Sequence, residues 1–127
     1  MKNLWKAYLF TLILLFLCLA PSNTFPEVGI INFDKFVHLF IYYIQAFLYI
    51  AAFYRIDPDN KFKYLFIPVI INLCIGGLTE ILQSLIVIIN RKGDWIDFIF
   101  NSTGILLAVI TYKPLAKSKL NFIIRRL

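Results

Sequence analysis

Four runs of apolar residues, at positions 4–20, 36–54, 64–89 and 95–112, divide the chain, and the segments between them hold the prolines, glycines and charges that end helices. Each run has the length and composition of a helix that crosses a bilayer. The third has 26 residues and is roughly 39 Å long as a straight helix, more than the ~30 Å hydrocarbon core needs. It must tilt, bend or emerge, and Pro68 and the Gly76-Gly77 pair are where bending costs least. The few polar positions inside these runs keep a helical period. Asp34, His38, Tyr42, Gln45 and Tyr49 make one stripe on the second helix; Asn72, Gly76, Glu80 and Gln83, with Thr79 beside them, make another on the third. Asp94, Asp97, Asn101 and Gly104 share a face of the fourth. The first helix carries only Thr11 in its apolar middle. The expected packing turns three stripes toward one another and leaves the first helix at the lipid-facing edge.

Composition narrows this picture to a membrane protein. Of 127 residues 61% are hydrophobic and only 16% charged, too few polar groups to cover a soluble domain of this size. The chain is therefore expected to be all-α, an integral membrane four-helix bundle forming one domain over 1–127, with no internal repeat. A cleaved leader is the alternative for the first run, since Cys18-Leu19-Ala20 loosely resembles a cleavage site. Pro21 directly after it opposes cleavage, so the run is expected to stay as a helix. Cys18 and Cys74 are isolated in apolar runs and serve packing.

The net charge of +6 changes the picture again, because its distribution sets orientation. Lys2, Lys6, Arg55, Lys61, Lys63 and the cations of the basic tail 113–127 fall on one side of a four-helix topology; only Lys35, Arg91 and Lys92 fall on the other. Both termini are thus expected in the cytoplasm of a multi-pass cell-membrane protein, with a tail suited to lying on anionic lipid or, equally, to being disordered. Membrane lipids are the expected partners and nucleic acid is not.

In that orientation the three stripes form a polar funnel open to the outside and narrowing toward Glu80. Its candidate ligand-binding residues are Asp34, Lys35, His38, Glu80, Gln83, Arg91, Asp94, Asp97 and Asn101. Charged groups inside apolar helices are costly and are functional candidates for that reason. Each has a structural reading beside the functional one. Asp94 suits an N-cap after Gly93, with Asp97 at N3 near the helix dipole. Asn101 can serve as interhelical glue, His38 can bond Asp34 or Glu80, and Lys35 can anchor at the interface. Glu80 resists such an explanation, since mid-span it needs a cation, a proton or water. His38, Glu80 and Asp97 are the catalytic candidates should the site perform chemistry. No His-Glu-x-x-His motif is present, and neither a resident metal nor a cofactor is expected.

The segments DKFVH (34–38), TEILQ (79–83) and RKGDWIDFIFNSTG (91–104), in this order, resemble the polar signature of the VanZ-like family of small bacterial membrane proteins. The resemblance covers about 34–104; the first helix and the tail match only by kind. It implies a bacterial cell-envelope role, since the family's namesake is associated with low-level teicoplanin resistance, and it supplies no reaction. Three functions follow as expectations. The funnel binds an amphiphile such as a lipoglycopeptide or a lipid-linked cell-wall precursor. Alternatively it is an intramembrane enzyme acting on a polyprenyl-phosphate or lipid headgroup, with His38 as base or nucleophile, Asp94 and Asp97 holding a divalent cation and Arg91 or Lys92 steadying phosphate. In the third reading it is a non-catalytic accessory subunit. The oligomeric state is left open.

Overall fold

The computed structural model describes residues 4–21, 33–86 and 94–117, and these are entirely helical apart from short connections. Helix α1 spans Leu4–Leu19, α2 Phe33–Ile56, α3 Ile67–Leu85 and α4 Trp95–Lys117, with a π-helical turn at Phe62–Phe66 running into α3. Three stretches are long and apolar enough to cross a membrane: Phe33–Ile56, Phe62–Leu85 and Trp95–Leu115. At 16 residues, α1 is roughly 24 Å long and falls short of that length.

The helix ends differ from the sequence expectation for identifiable reasons. The second helix begins at Phe33 rather than 36, so Asp34 lies in its first turn, where a carboxylate opposes the helix dipole. The third starts earlier, its π-helical turn preceding Pro68, and ends at Leu85 rather than 89, where the Ile86 N–H closes on the Leu82 carbonyl. A proline lacks an N–H and crowds the carbonyl four residues back, and the wide turn before it relieves both. There the Ile67 N–H reaches the Phe62 carbonyl, five residues back. The fourth helix continues through Pro114 to Lys117 instead of stopping at Tyr112. Tyr112 packs on Phe47 and Tyr54, and Leu115 packs on the same core; these contacts hold the last turn despite the missing hydrogen bond.

Contacts set the directions of the helices. Lys35 meets Asp97, His38 meets Asn101 and Phe47 meets Tyr112, so α2 and α4 run parallel. Tyr42 meets Thr79 and Tyr54 meets Tyr64, so α3 runs against α2. Thr11 meets Tyr49 and, nearer the opposite end, the Cys18 carbonyl meets Gln83, so α1 runs against α2 as well. One end of the molecule thereby collects the start of α2, the end of α3 and the start of α4. The opposite end collects Lys6, Arg55, Lys63 and Lys113.

Packing is closest between α2 and α4, and Gly104 permits it. A Cβ on Gly104 would overlap the Leu39 carbonyl oxygen and lie 3.0 Å from the Tyr43 nitrogen, so no side chain fits there. Ala46, Ala51, Ala52 and Ala108 are small buried residues in the same interior, filled out by Tyr42, Ile50 and Ile105 and by Leu14 from α1. Polarity runs opposite to that of a soluble protein. Gln45, Asn72, Thr79 and Asn101 are fully buried, whereas Phe16, Leu85 and Trp95 are each at least 70% exposed. Large apolar side chains outside and polar ones inside suit a hydrocarbon solvent.

Gly104→Ala is expected to destabilise the protein by about 1–3 kcal/mol, because α2 and α4 must move apart to admit the methyl group. Gly77→Ala is the control: its Cβ meets only Phe98 at an ordinary 3.8 Å, so it should be neutral or slightly stabilising. Thermal unfolding of both variants in detergent, side by side, checks the contrast; equal melting temperatures would count against the close α2–α4 approach.

Candidate functional site

At the end where α2 starts, α3 stops and α4 starts, the polar residues form two layers. The outer layer is built on Lys35. Its Nζ lies 3.1 Å from Asp97 Oδ1, 3.4 Å from Asp94 Oδ2 and 3.9 Å from Asp34 Oδ2. The Asp97 side chain is 11% exposed and that of Lys35 15%, against 66% for Asp34. The α2–α4 bridge is thus the partly desolvated one, and Asp34 adds little. Lys35 is more than an interfacial anchor, because it joins α2 to α4 through two carboxylates.

Asp94 is used three times. Its Oδ1 accepts the Ile96 N–H at 2.8 Å, making it the N-cap of α4. Its Oδ2 faces Lys35, and its own N–H donates to Glu80 Oε2 at 3.0 Å. The Ile96 N–H, with Lys35 in support, holds the Asp94 carboxyl below the usual carboxylate range. A depressed carboxyl contributes stability above its ordinary value and loses it as pH falls through the depressed one, so the contribution of this cap fades only below the usual carboxylate range.

The inner layer is a bridge through Asn101. Its Nδ2 donates to Glu80 Oε1 at 3.3 Å, and its Oδ1 lies 3.0 Å from His38 Nδ1. A carboxylate only accepts, so the Asn101 amide must present its NH2 to Glu80 and its oxygen to His38. It follows that His38 Nδ1 carries the proton and donates it; in the neutral ring the lone pair is on Nε2. Both Glu80 oxygens are therefore occupied by N–H donors from α4, its own or that of the cap. His38, Glu80 and Asp97 are 7%, 5% and 8% exposed and Asn101 is fully buried. The histidine bonds neither Asp34 nor Glu80 directly; the amide stands between them.

The structure thus brings Lys35, His38, Glu80, Asp94, Asp97 and Asn101 together and leaves Asp34 at the rim. Gln83 goes elsewhere. Its Nε2 donates to the Cys18 carbonyl at 2.7 Å, in the last turn of α1, where helix carbonyls lack intrahelical donors. Thr11 bonds Tyr49 at 3.1 Å. The first helix accordingly joins the polar interior at two points while exposing Leu12 and Phe16; no periodicity in its own sequence announces the backbone contact. Arg91 and Lys92 lie outside the described residues. Among the described residues no group of three or more His, Cys, Asp or Glu side chains is arranged to hold a metal ion, and Asp94 and Asp97 are both engaged by Lys35.

Beneath these layers the Tyr42 hydroxyl meets the Thr79 hydroxyl at 2.9 Å. Comparison with family models, with curated proteins and with solved structures gave no match for this chain.

Lys35→Met is expected to cost about 3–5 kcal/mol at most, the range for stranding a buried charge, reduced here by the residual exposure of Asp97. The double variant Lys35→Met/Asp97→Asn should recover part of that loss. A double-mutant cycle on unfolding free energy checks this, and strict additivity would show that the two side chains do not interact.

Proposed function

We propose that this is a VanZ-like, multi-pass membrane protein, a four-helix bundle with both termini cytoplasmic, whose outward-facing funnel binds the polar end of an amphiphilic molecule. The ligand class is a lipoglycopeptide or a lipid-linked cell-wall precursor, held by its sugar-bearing end. The observation that carries this reading is the convergence of Lys35, Asp94, Asp97, Glu80, His38 and Asn101 at one end of helices whose outer faces are apolar. An amphiphile fits that combination, its chain in lipid beside Phe36, Phe40 or Trp95 and its hydroxyls at the acidic rim. Among the described residues three carboxylates face Lys35 and a fourth, Glu80, lies behind them, a set that favours hydroxyl or amine groups over a bare phosphate.

Orientation in this reading rests on the cation imbalance, with support from the fold: Lys6, Arg55, Lys63 and Lys113 gather at the end opposite the site. In this reading α1, shorter than the other three, makes the fourth crossing. Enzymatic action on a lipid headgroup is the second reading, favoured by one observation, the Asn101 bridge that orients the His38 ring. Its phosphate-binding groups would be Arg91 and Lys92.

Two measurements test the proposal. In a background with Cys18 and Cys74 replaced by alanine, Asp34→Cys should react with a membrane-impermeant thiol reagent added to intact cells, and Asp59→Cys should react only after lysis. The reverse pattern would overturn the topology and the funnel with it. Asn101→Ala and Glu80→Gln should lower teicoplanin tolerance several-fold, beyond any fall in abundance on an immunoblot. Unchanged tolerance would exclude the binding role, and a loss that tracks abundance would assign these residues to holding the bundle together.

A further inference from the structure

One turn from the point where Tyr42 of α2 crosses Gly76 of α3, away from the candidate site, the interior holds two amides whose hydrogen-bonding capacity the chain itself does not fill. Gln45 and Asn72 are both fully buried. Gln45 Oε1, Gln45 Nε2 and Asn72 Oδ1 have no hydrogen-bond partner among the protein atoms. The Asn72 Nδ2 donates to the Pro68 carbonyl at 2.7 Å. A carbonyl only accepts, so the unfilled atom of Asn72 is its oxygen.

Register brings the two residues to one level. The Tyr42 ring lies 3.4 Å from where a Cβ on Gly76 would stand, marking where α2 and α3 cross. Gln45 follows Tyr42 by three residues and Asn72 precedes Gly76 by four. Because the helices run in opposite directions, both lie one turn beyond the crossing on the same side. Their full burial turns both inward.

We infer that Gln45 and Asn72 together bind a single water molecule in the centre of the protein. The demand left at this level is two acceptors, Gln45 Oε1 and Asn72 Oδ1, and one NH2 donor. A water molecule donates two hydrogen bonds and accepts one, which matches that set and the usual three bonds of a buried water. A direct bond between the amides would run from Gln45 Nε2 to Asn72 Oδ1 or from the second Asn72 N–H to Gln45 Oε1, and neither bond is present. A cation suits the site poorly, because the NH2 would face it and no carboxylate lies in the Gln45 or Asn72 turn of either helix. Leaving these groups unmade in an apolar interior costs more than immobilising one water. The water extends the polar column from Glu80 and Asn101, past the two hydroxyls, to the middle of the helix pair. This site is independent of whichever ligand the funnel binds.

Solid-state NMR of the full-length protein in lipid nanodiscs, with magnetisation transferred from water protons to glutamine side-chain amides, tests the inference. The chain has two glutamines, so Gln45→Met assigns the Gln45 signal, and Gln83, bonded to the Cys18 carbonyl, serves as internal reference. The Gln45 amide of the unaltered protein is expected to receive magnetisation from water, and Asn72→Leu should abolish that transfer while leaving the Gln83 signal in place. Absence of transfer in the unaltered protein would overturn the site whatever the variant does. Transfer that persists undiminished in Asn72→Leu would show that the two amides do not share a water.

Discussion

The Glu80 carboxylate is the constraint from which the arrangement of this molecule follows. An ionisable group buried five residues before the end of α3 must be met by donors. Both donors come from α4: the Asn101 side chain on one oxygen and the Asp94 backbone N–H on the other. Two bonds from residues seven positions apart fix the start of α4 in height and rotation against the end of α3. With that rotation set, Asp97 points at Lys35 and Gly104 at the Leu39 carbonyl, so α2 is positioned as well.

The same logic explains why the site is a network rather than a set of independent groups. Asn101 donates to Glu80 and accepts from His38, and the direction of one bond dictates the direction of the other. Asp94 caps its helix, faces Lys35 and donates to Glu80 at once. On the proposed reading, a ligand entering from the rim would meet groups already oriented by their neighbours, which would reduce the reorganisation needed to bind it. It would also have to compete with those neighbours, so the more exposed Asp34 and Asp94 would be its first contacts.

Three stretches are long and apolar enough to cross a membrane, and hydrocarbon surroundings would account for the remainder. Helices in lipid gain nothing from burying leucine against leucine, so close approach of small residues and bonds between polar ones must hold them. Both devices are present in one interface, Gly104 against α2 and the Lys35–Asp97 bridge two turns away. At the far end aromatic rings take over, with Tyr54, Tyr64 and Tyr112 packed edge to face.

The periodic placement of Asp34 through Tyr49, Asn72 through Gln83 and Asp94 through Gly104 made the number of helices, their inward faces and most of the site readable before any coordinates. Helical period is a local property, and an apolar background makes polar exceptions conspicuous. Helix ends were less legible, because Pro114 and the turn before Pro68 are held by distant aromatic and leucine contacts that propensity does not register. Partner choice was not legible at all. Glu80 and His38 could be placed on facing stripes, but only the tertiary structure put Asn101 between them, sent Gln83 to a backbone carbonyl of α1 and joined Thr11 to Tyr49. Sequence spacing states which side of a helix a group occupies; its height and rotation relative to another helix depend on contacts summed over both, and these the folded chain alone decides.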